Sequence, residues 1–378
     1  MASSTHALLS ASASHRWLHC PPSARLTEHI EDKPSEFATE GSTAHLIAEI
    51  KLSRALGYEP DEPNLFDNYS EEMDECTNGY VAYVMEFVQA LKDEGKNPLV
   101  LVEQKLDYSK YVEEGYGTGD TVIVANGLIH IVDYKHGRGV KVDSTNNPQM
   151  MLYALGALEL FDGIYDIDTV LMTIYQPRLS NVSTFEMKKD DLIKWAEEVL
   201  VPISKLAYKG EGQYSCGEWC HFCKAKSTCK ERARLNTELA KMEFKEAPLL
   251  TDDEVIEILN KVDGLVSWAN DIKEYAFQEA LKGKKWSGYK LVEGRSTRKY
   301  ADETKVAEAV SNAGFNPYDQ KVISITEMQK RLGKSKFLEI VEPFVIKPAG
   351  KPTLVPDSDK RPEYNNAIAD FMTTEENE

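Results

Sequence analysis

The segment from Gly117 to Gly139, GTGDTVIVANGLIHIVDYKHGRG, has two β-branched apolar runs on either side of Asn126 and Gly127. An Asn-Gly pair between such runs is the strongest short-range signal for a two-residue β-hairpin turn. The register that this turn fixes places Asp120 of the first run directly opposite Asp133 of the second. The hairpin therefore carries two facing carboxylates at its open end.

This pairing constrains what the open end of the hairpin can bind. Directly opposed side chains of an antiparallel pair have Cβ atoms about 4.5–5.5 Å apart, and Lys135, two residues beyond Asp133, shares their face. Two carboxylates so close repel unless a proton or a cation lies between them, and a divalent metal is the economical solution. The simpler alternative is that these charges are solvated strand ends. A turn moved by one residue would place Asp120 on the wrong face, so Asn126 and Gly127 are predicted to hold the site in register.

Length and composition describe a globular chain. Its 378 residues suffice for two domains, or for one large domain with an appendage, and 42% are hydrophobic. No run of about 18 apolar residues occurs, so we expect no membrane partner. The N-terminal sequence lacks a basic start and a long apolar stretch, which predicts no signal peptide and a cytoplasmic protein.

The charge is unevenly distributed. The net charge of −18 alone argues against a nucleic-acid partner, because phosphate binding requires Lys and Arg. However, the segment from Lys282 to Tyr300 contains seven bases and one acid. Interleaved basic and aromatic residues suit backbone tracking and base stacking on single strands. The residues predicted to bind DNA are Lys284, Lys285, Trp286, Tyr289, Arg295 and Arg298. The alternative is a surface hairpin whose aromatic rings pack on the preceding helix.

The predicted elements follow the order helix, helix, strand, hairpin, helix, strand and helix over residues 1–206. Asn147 and Pro148 are typical of the N-cap and first turn of a helix, whereas the acidic segment 59–75 predicts a loop. This order predicts an α/β fold with a mixed central sheet flanked by helices. From Thr251 a capping box opens a long amphipathic helix. We therefore predict a domain over 1–240 and a mainly helical region over 247–378, which could form a DNA-binding arm.

Six cysteines are present, and in a cytoplasmic chain clustered cysteines indicate metal ligation before disulfides. Cys220, Cys223 and Cys229 are too compactly spaced for three chance thiols. Cys216 is the nearest fourth ligand for a zinc site, and His221 could also ligate.

Five motifs occur in order over about residues 40–155. They are Gly41-x-x-x-His45, Glu103, Gly117-x-x-Asp120, Asp133-Tyr-Lys135 and Gln149-x-x-x-Tyr153. In their order and spacing the chain resembles the PD-(D/E)XK nucleases of the RecB-like branch. The resemblance implies a restriction-endonuclease-like core and a metal-dependent deoxyribonuclease, specifically an exonuclease.

The resemblance also implies roles for the residues of these motifs. His45, Asp120 and Asp133 would hold Mg²⁺ or Mn²⁺, and the Tyr134 carbonyl could complete the metal shell. Lys135 would position or activate the attacking water. The remaining motif residues would brace the site and contact DNA, and they are Glu103, Gln149 and Tyr153. Hard oxygen ligands suit both ions, and the imidazole favours Mn²⁺.

For the cysteines, the resemblance favours a different ligand set from the zinc site. A subfamily that includes AddB and the CRISPR-associated RecB-like nucleases has one cysteine before the nuclease core and three after it, which bind a 4Fe-4S cluster. The matching residues are Cys20, Cys220, Cys223 and Cys229, with Cys216 as an alternative ligand.

The expected function is hydrolysis of DNA for recombination, replication or repair in a phage or bacterium, because the whole chain looks like a phage-borne family without a helicase. Without a motor, such a nuclease would act on DNA ends or single strands, or with a phage single-strand-binding or recombination protein. Two alternatives stay open: a non-catalytic DNA-binding or scaffold protein on the same fold, and the same nuclease with structural zinc.

Overall fold

The computed structural model describes residues 7–31, 36–61, 69–240, 251–292, 301–314, 316–318 and 322–346. The predicted α/β class is confirmed, since a five-stranded mixed sheet is flanked by helices. The strands lie in the sheet in chain order. The third and fourth strands run parallel, and the other neighbours run antiparallel.

The strands are β1 (Leu99–Asp107), β2 (Tyr116–Ala125), β3 (Gly127–Tyr134), β4 (Ile167–Gln176) and β5 (Asn181–Lys188). The helices are α1 (Ser14–His19), α2 (Ser23–Leu26), α3 (Glu36–Ala55), α4 (Glu71–Asp93), α5 (Pro148–Phe161), α6 (Lys189–Trp195), α7 (Val201–Lys209), α8 (Lys230–Ala240), α9 (Asp252–Leu281), α10 (Glu303–Asn312) and α11 (Ile325–Ile340). Short 3₁₀ or π turns lie at Ala11–Ala13, Pro177–Leu179, Ala196–Leu200, Glu218–Cys220 and Glu342–Phe344.

The β2–β3 hairpin has the predicted register. Ala125 pairs with Leu128, and the ladder continues to Thr121 opposite Val132. Gly127 takes a φ of +89°, a conformation that glycine adopts without steric cost. Asp120 and Asp133 are the next residues beyond that last pair, so the hairpin brings both strands' carboxylates to one end of the sheet.

Helix α5 covers one face of the sheet. It begins as predicted, because the side chain of Asn147 accepts hydrogen bonds from the backbone N–H groups of Gln149 and Met150, and Pro148 stands in the first turn. Its residues from Met150 to Leu158 are all buried. Each large apolar side chain so buried contributes roughly 1.5–3 kcal/mol, so this helix is a main support of the sheet.

Helices α3 and α4 cover the other face. Their buried side chains pack on the sheet residues Ile123, Val132 and Tyr134. The hydroxyl of Tyr80 on α4 lies 2.7 Å from the hydroxyl of Thr121, which gives the buried Thr121 a partner. The sheet is thus sandwiched between helices, and α3 passes the open end of the β2–β3 hairpin.

Two elements differ from the sequence prediction. Helix α4 begins at Glu71 and not after the acidic segment, because Ser70 caps it and three acids in the first turn complement the helix dipole. Strand β5 was not predicted. It lies at the edge of the sheet, and its side chains alternate between exposed and partly buried positions.

The predicted capping box at Thr251 is confirmed and opens α9. This helix packs on α8, where Asp271 pairs with Arg232 at 2.5 Å and with Lys226 at 3.1 Å. Its apolar stripe is only partly covered, since Val266 is 53% exposed. The chain divides into compact units over Met1–Val292 and Glu293–Glu378, so α9 belongs with the sheet domain, beyond the predicted boundary at residues 240–247. Within its described residues the second unit is mainly helical.

None of the helices in the described part of the chain combines the length and the apolar character needed to cross a membrane.

Buried His130 predicts how stability depends on pH. Its Nε2 atom lies 2.8 Å from the hydroxyl of Thr173, and burial lowers the pKa of the imidazole from 6.5 to about 3. Between these values the unfolded chain takes up a proton that the folded chain does not, so stability falls as the pH decreases from 6.5 towards 3. We expect His130→Gln to reduce this loss by on the order of a few kcal/mol. Urea unfolding at several pH values tests this, with the exposed His29→Gln as control. Parallel curves of unfolding free energy against pH for wild type and His130→Gln would contradict this prediction.

Candidate metal centre

The open end of the hairpin gathers side chains from five elements. His45 lies on α3, Glu103 on β1 and Asp120 on β2. Asp133 is the last residue but one of β3, and Lys135 follows directly after the strand, while Gln149 and Tyr153 project from α5. The structure therefore brings together the residues of all five sequence motifs, although they span more than 100 positions of the chain.

His45, Glu103 and Asp120 form the tightest group. One potential ligand atom from each lies within 4.8 Å of those of the other two, and His45 Nδ1 is 3.3 Å from Asp120 Oδ1. Ligand atoms bound to one Mg²⁺ at about 2.0–2.1 Å can be at most about 4.2 Å apart. A small contraction of this group would therefore surround a divalent cation.

Asp120 is held in place from two directions. Its Oδ2 atom accepts a 2.7 Å hydrogen bond from the backbone N–H of Tyr134, the residue between Asp133 and Lys135. Burial acts to raise the pKa of Asp120, but the charge and hydrogen bond of His45 outweigh this and lower it. For His45, burial acts to lower the pKa, and Asp120 reverses the shift and raises it. In the metal-free protein the two groups thus stabilise each other as an ion pair.

Glu103 has an unusual backbone conformation. It lies opposite Asp120, between the pairs Val102–Thr121 and Gln104–Gly119, with a φ of +48°. A left-handed conformation costs a residue with a Cβ atom roughly 1–2 kcal/mol, and such strain concentrates at functional sites. Burial and then the nearby charge of Asp120 raise the pKa of Glu103 to about 7. A bound cation would remove the repulsion that causes the second effect.

Asp133 points inward, towards Lys135 and α5, and it is only 2% exposed. Its Oδ2 atom lies 2.9 Å from the Lys135 ammonium, and its Oδ1 atom accepts a 3.2 Å hydrogen bond from the Gln149 amide. That amide also lies 3.3 Å from the Tyr153 hydroxyl. The third member of the tight group is therefore Glu103, where the sequence predicts Asp133. Asp133 lies next to the group, on the side of Lys135.

Lys135 is a protonated cation in this arrangement. Burial acts to lower the pKa of its ammonium, but Asp133 and Asp120 outweigh burial and raise it. The ammonium also donates to Gln149 Oε1 at 3.4 Å. Lys135 can therefore orient a ligand oxygen or offset negative charge, and it is poorly suited to accept a proton.

Gly117 in the predicted motif has a packing role. A Cβ atom at this position would lie 2.8 Å from a ring carbon of Tyr153. A larger residue would displace Tyr153, and with it the amide of Gln149.

Sequence reasoning missed an ionic network beside the centre. The Tyr134 hydroxyl lies 2.9 Å from Nδ1 of the buried His136, whose Nε2 is 3.7 Å from Glu40. Arg178 pairs with Glu40 at 3.0 Å. Arg138 joins this network, because it shares Glu72 with Arg178. Its position between two glycines, three residues after Lys135, is the sequence signal for a second charged region here.

The cysteines gather at a second place in the same unit. The His19 ring stacks on Trp219 with ring centroids 4.4 Å apart, and the Ser215 hydroxyl donates to the His19 carbonyl at 2.5 Å. The chain before Cys20 therefore contacts the segment that contains Cys216 and Cys220. Cys20 and Cys223 are both buried.

The thiols are neighbours without forming a tight ligand set. Burial, followed by the proximity of Cys220 and Cys229, raises the pKa of Cys216 to about 12. In the described part of the chain, no three thiols lie within 4.8 Å of one another. A cavity of about 570 Å³ borders Cys216 and Cys220. Both ligand sets, with Cys20 or with Cys216, remain predictions.

The basic, aromatic segment follows α9. The indole N–H of Trp286 donates to the Ala276 carbonyl at 2.9 Å, and the Lys284 ammonium lies 4.3 Å from the centre of the Trp286 rings. Trp286 thus folds back onto α9, whereas Tyr289 is 84% exposed. Lys285 is also exposed. Arg295 and Arg298 lie outside the described residues.

Comparison with known proteins gives a family. A solved structure titled "Crystal structure of SSO0001" aligns with 58% of this chain and 96% of its own, at 9% identity and a TM-score of 0.23. Residues 6–362 match the family described as protein of unknown function (DUF2800). The chain belongs to that family.

Glu103 provides a direct test of the metal centre. In metal-free Glu103→Gln the amide carries no charge, so we expect a higher melting temperature than wild type above pH 7, where the wild-type carboxylate is ionised. The stabilisation gained on adding Mn²⁺ should fall, because one ligand is lost. Thermal unfolding at pH 8 with and without Mn²⁺ measures both effects, and the exposed Glu113→Gln serves as control. Full Mn²⁺ stabilisation in Glu103→Gln would contradict the assignment.

Proposed function

We propose that this member of the DUF2800 family is a metal-dependent DNA nuclease, an exonuclease on a restriction-endonuclease-like PD-(D/E)XK core. The observation that carries the proposal is the placement of the Asp133–Lys135 ion pair, 2.9 Å long, directly beside the group of His45, Glu103 and Asp120. Phosphodiester hydrolysis needs a cation at the phosphate and a positioned water, and this arrangement has residues for both.

The residues present fit Mg²⁺ or Mn²⁺. Carboxylate oxygens are the ligands that these hard ions prefer, and one imidazole among them favours Mn²⁺. The ligands would be His45, Asp120 and the neighbouring carboxylates of Glu103 and Asp133. When bound, such an ion lowers the pKa of a coordinated water and stabilises charge on the phosphate.

The side chains around the ion would divide the remaining tasks. Lys135 would hold the attacking water and offset the charge that develops on the phosphate, because its ammonium is kept protonated and fixed by Asp133. Gln149 would orient both members of this pair, since it contacts each of them. Tyr153 would brace Gln149 and border the DNA.

The substrate would be DNA ends or single strands in phage or bacterial recombination, replication or repair, handed over by a single-strand-binding or recombination protein. The exposed Tyr289 with Lys284 and Lys285 supports a single-strand contact away from the centre, because an exposed ring between cations can stack on a base.

We also propose that Cys20, Cys220, Cys223 and Cys229 bind a 4Fe-4S cluster that joins the start of the chain to the end of the nuclease core. The contact between His19 and Trp219 supports this, because it brings the two segments together without any ligand. Structural zinc bound through Cys216 is the alternative.

Catalysis is tested with Lys135→Ala. We expect Mn²⁺-dependent cleavage of end-labelled single- and double-stranded DNA to fall at least about 100-fold, because the variant lacks the cation beside the reacting phosphate. Lys110→Ala is the matched control, since Lys110 is exposed and forms a surface ion pair with Glu159. Full cleavage by Lys135→Ala would contradict the catalytic role. DNA binding by wild type without cleavage under any metal would favour a scaffold protein.

The cluster is tested by anaerobic purification. We expect bound iron and a broad absorbance near ~400 nm in wild type, both lost in Cys223→Ser. Cys20→Ser should lose them and Cys216→Ser should keep them. Stoichiometric zinc without iron, or loss in Cys216→Ser alone, would contradict the proposed ligands.

A further inference from the structure

The segment that follows Lys135 is fixed by two buried amides. The Gln176 side chain donates to the carbonyls of Gly137 and Val140 at 3.0 and 2.8 Å, and it accepts from the N–H of Val142 at 3.2 Å. Asn181 donates to the Val142 carbonyl at 2.8 Å. Because Gln176 and Asn181 are only 2% and 5% exposed, these bonds anchor the backbone of residues 137, 140 and 142 to buried side chains.

We define residues 137–141, Gly-Arg-Gly-Val-Lys, as the basic loop. All five residues are exposed, although the backbone behind them is anchored. Glycines on both sides of Arg138 leave its backbone open to close approach. The loop thus presents Arg138 and Lys141 on a rigid base, which is the form expected of a binding surface.

Arg138 and Arg178 converge on a single carboxylate. Glu72, in the first turn of α4, accepts a hydrogen bond from Arg138 on one oxygen and a 3.1 Å bond from Arg178 on the other. Arginines bind a phosphate group in the same way, with two guanidinium groups on two oxygens of one anion. Glu72 therefore occupies a position that suits a phosphodiester.

The two arginines differ in how readily they can change partner. The side chain of Arg178 is only 10% exposed and is also bound to Glu40, so it would be left buried and unpaired if it moved. The side chain of Arg138 is 58% exposed, and surface ion pairs of this kind contribute little net stability. Arg138 can therefore leave Glu72, which stays neutralised by Arg178.

The basic loop lies close to the metal centre. Glu40, which shares Arg178 with Glu72, is five positions before His45 on α3, a distance of about 7.5 Å along the helix. Arg138 itself follows Lys135 by three residues. A nucleic-acid strand with one phosphate at His45 and Lys135 would thus have a neighbouring phosphate within reach of the loop.

The negative charge near the centre favours a contact between DNA phosphates and the basic loop. Glu49 and Glu103 lie at the centre, and Glu40 and Glu72 lie in the ionic network beside it, in a chain of net charge −18. These carboxylates would repel the phosphates on either side of the one bound at the metal. Cations that move from a carboxylate to a phosphate would remove that repulsion without adding net positive charge to the free protein.

We propose that the basic loop binds the phosphodiester backbone of the DNA strand that occupies the metal centre. Arg138 exchanges the carboxylate of Glu72 for a phosphate, and Lys141 contacts the adjacent phosphate. Glu72 is then a competitor that occupies the site when DNA is absent. This inference rests on the proposed nuclease function and assigns a second contact region to its substrate.

The test measures binding of a fluorescent single-stranded 20-nucleotide DNA to the full chain, with Ca²⁺ in place of Mg²⁺ or Mn²⁺ to slow cleavage. We expect Arg138→Ala to bind about tenfold more weakly at low salt, and the slope of log K against log salt to fall by about 0.7, as for one lost phosphate contact on a single strand. Glu72→Gln should bind more tightly than wild type, because the competing carboxylate is gone and Arg178 keeps Glu40.

Arg234→Ala is the matched control, because Arg234 is an exposed arginine that pairs with Glu231 and Glu238 on α8. Equal affinity and slope in Arg138→Ala and Arg234→Ala, or weaker binding by Glu72→Gln at an unchanged melting temperature, would overturn the inference. If wild type binds and cuts DNA in that case, only the loop assignment fails. If wild type neither binds nor cuts DNA, the proposed function fails with it.

Discussion

The carboxylate of Asp120 joins the elements on which the rest of the centre depends. One oxygen lies 3.3 Å from His45 on α3, and the other accepts the N–H of Tyr134 at 2.7 Å. Through these contacts a single side chain of β2 fixes the helix on one face of the sheet and the end of β3. The position of Asp133 and Lys135 follows, because they are the immediate neighbours of Tyr134.

This arrangement concentrates negative charge, and the structure balances it only in part. His45 and Lys135 pair with Asp120 and Asp133, although burial still raises the pKa of Asp133. Among the described residues no cation pairs as closely with Glu103, and its pKa rises to about 7. The strained backbone of Glu103 adds a further cost that packing alone does not require. A bound divalent cation would remove the repulsion between the carboxylates and offset the backbone strain of Glu103. A cluster of carboxylates at the end of a buried hairpin is therefore suited to a metal centre.

Local signals in the sequence were sufficient for the hairpin and for the start of α5. The Asn126–Gly127 turn fixed the register, with Gly127 in the conformation that glycine adopts without steric cost, and Asn147 capped its helix through one side chain. The conformation of Glu103 could not be read in this way, because a strand pattern predicts an extended backbone at every residue. The contact of Arg138 with Glu72 was also hidden, since it joins a loop to a helix start 66 positions earlier. Long-range pairs between charges depend on the packed fold and leave no periodic pattern in the chain.

The measurement that tests the central claim most directly is calorimetric titration of the metal-free protein with Mn²⁺, compared between wild type and Asp120→Asn. The account predicts that wild type binds one Mn²⁺ ion at this centre and that the substitution abolishes that binding, while the folded state is retained by circular dichroism. Unchanged Mn²⁺ affinity and stoichiometry in a folded Asp120→Asn protein would contradict it.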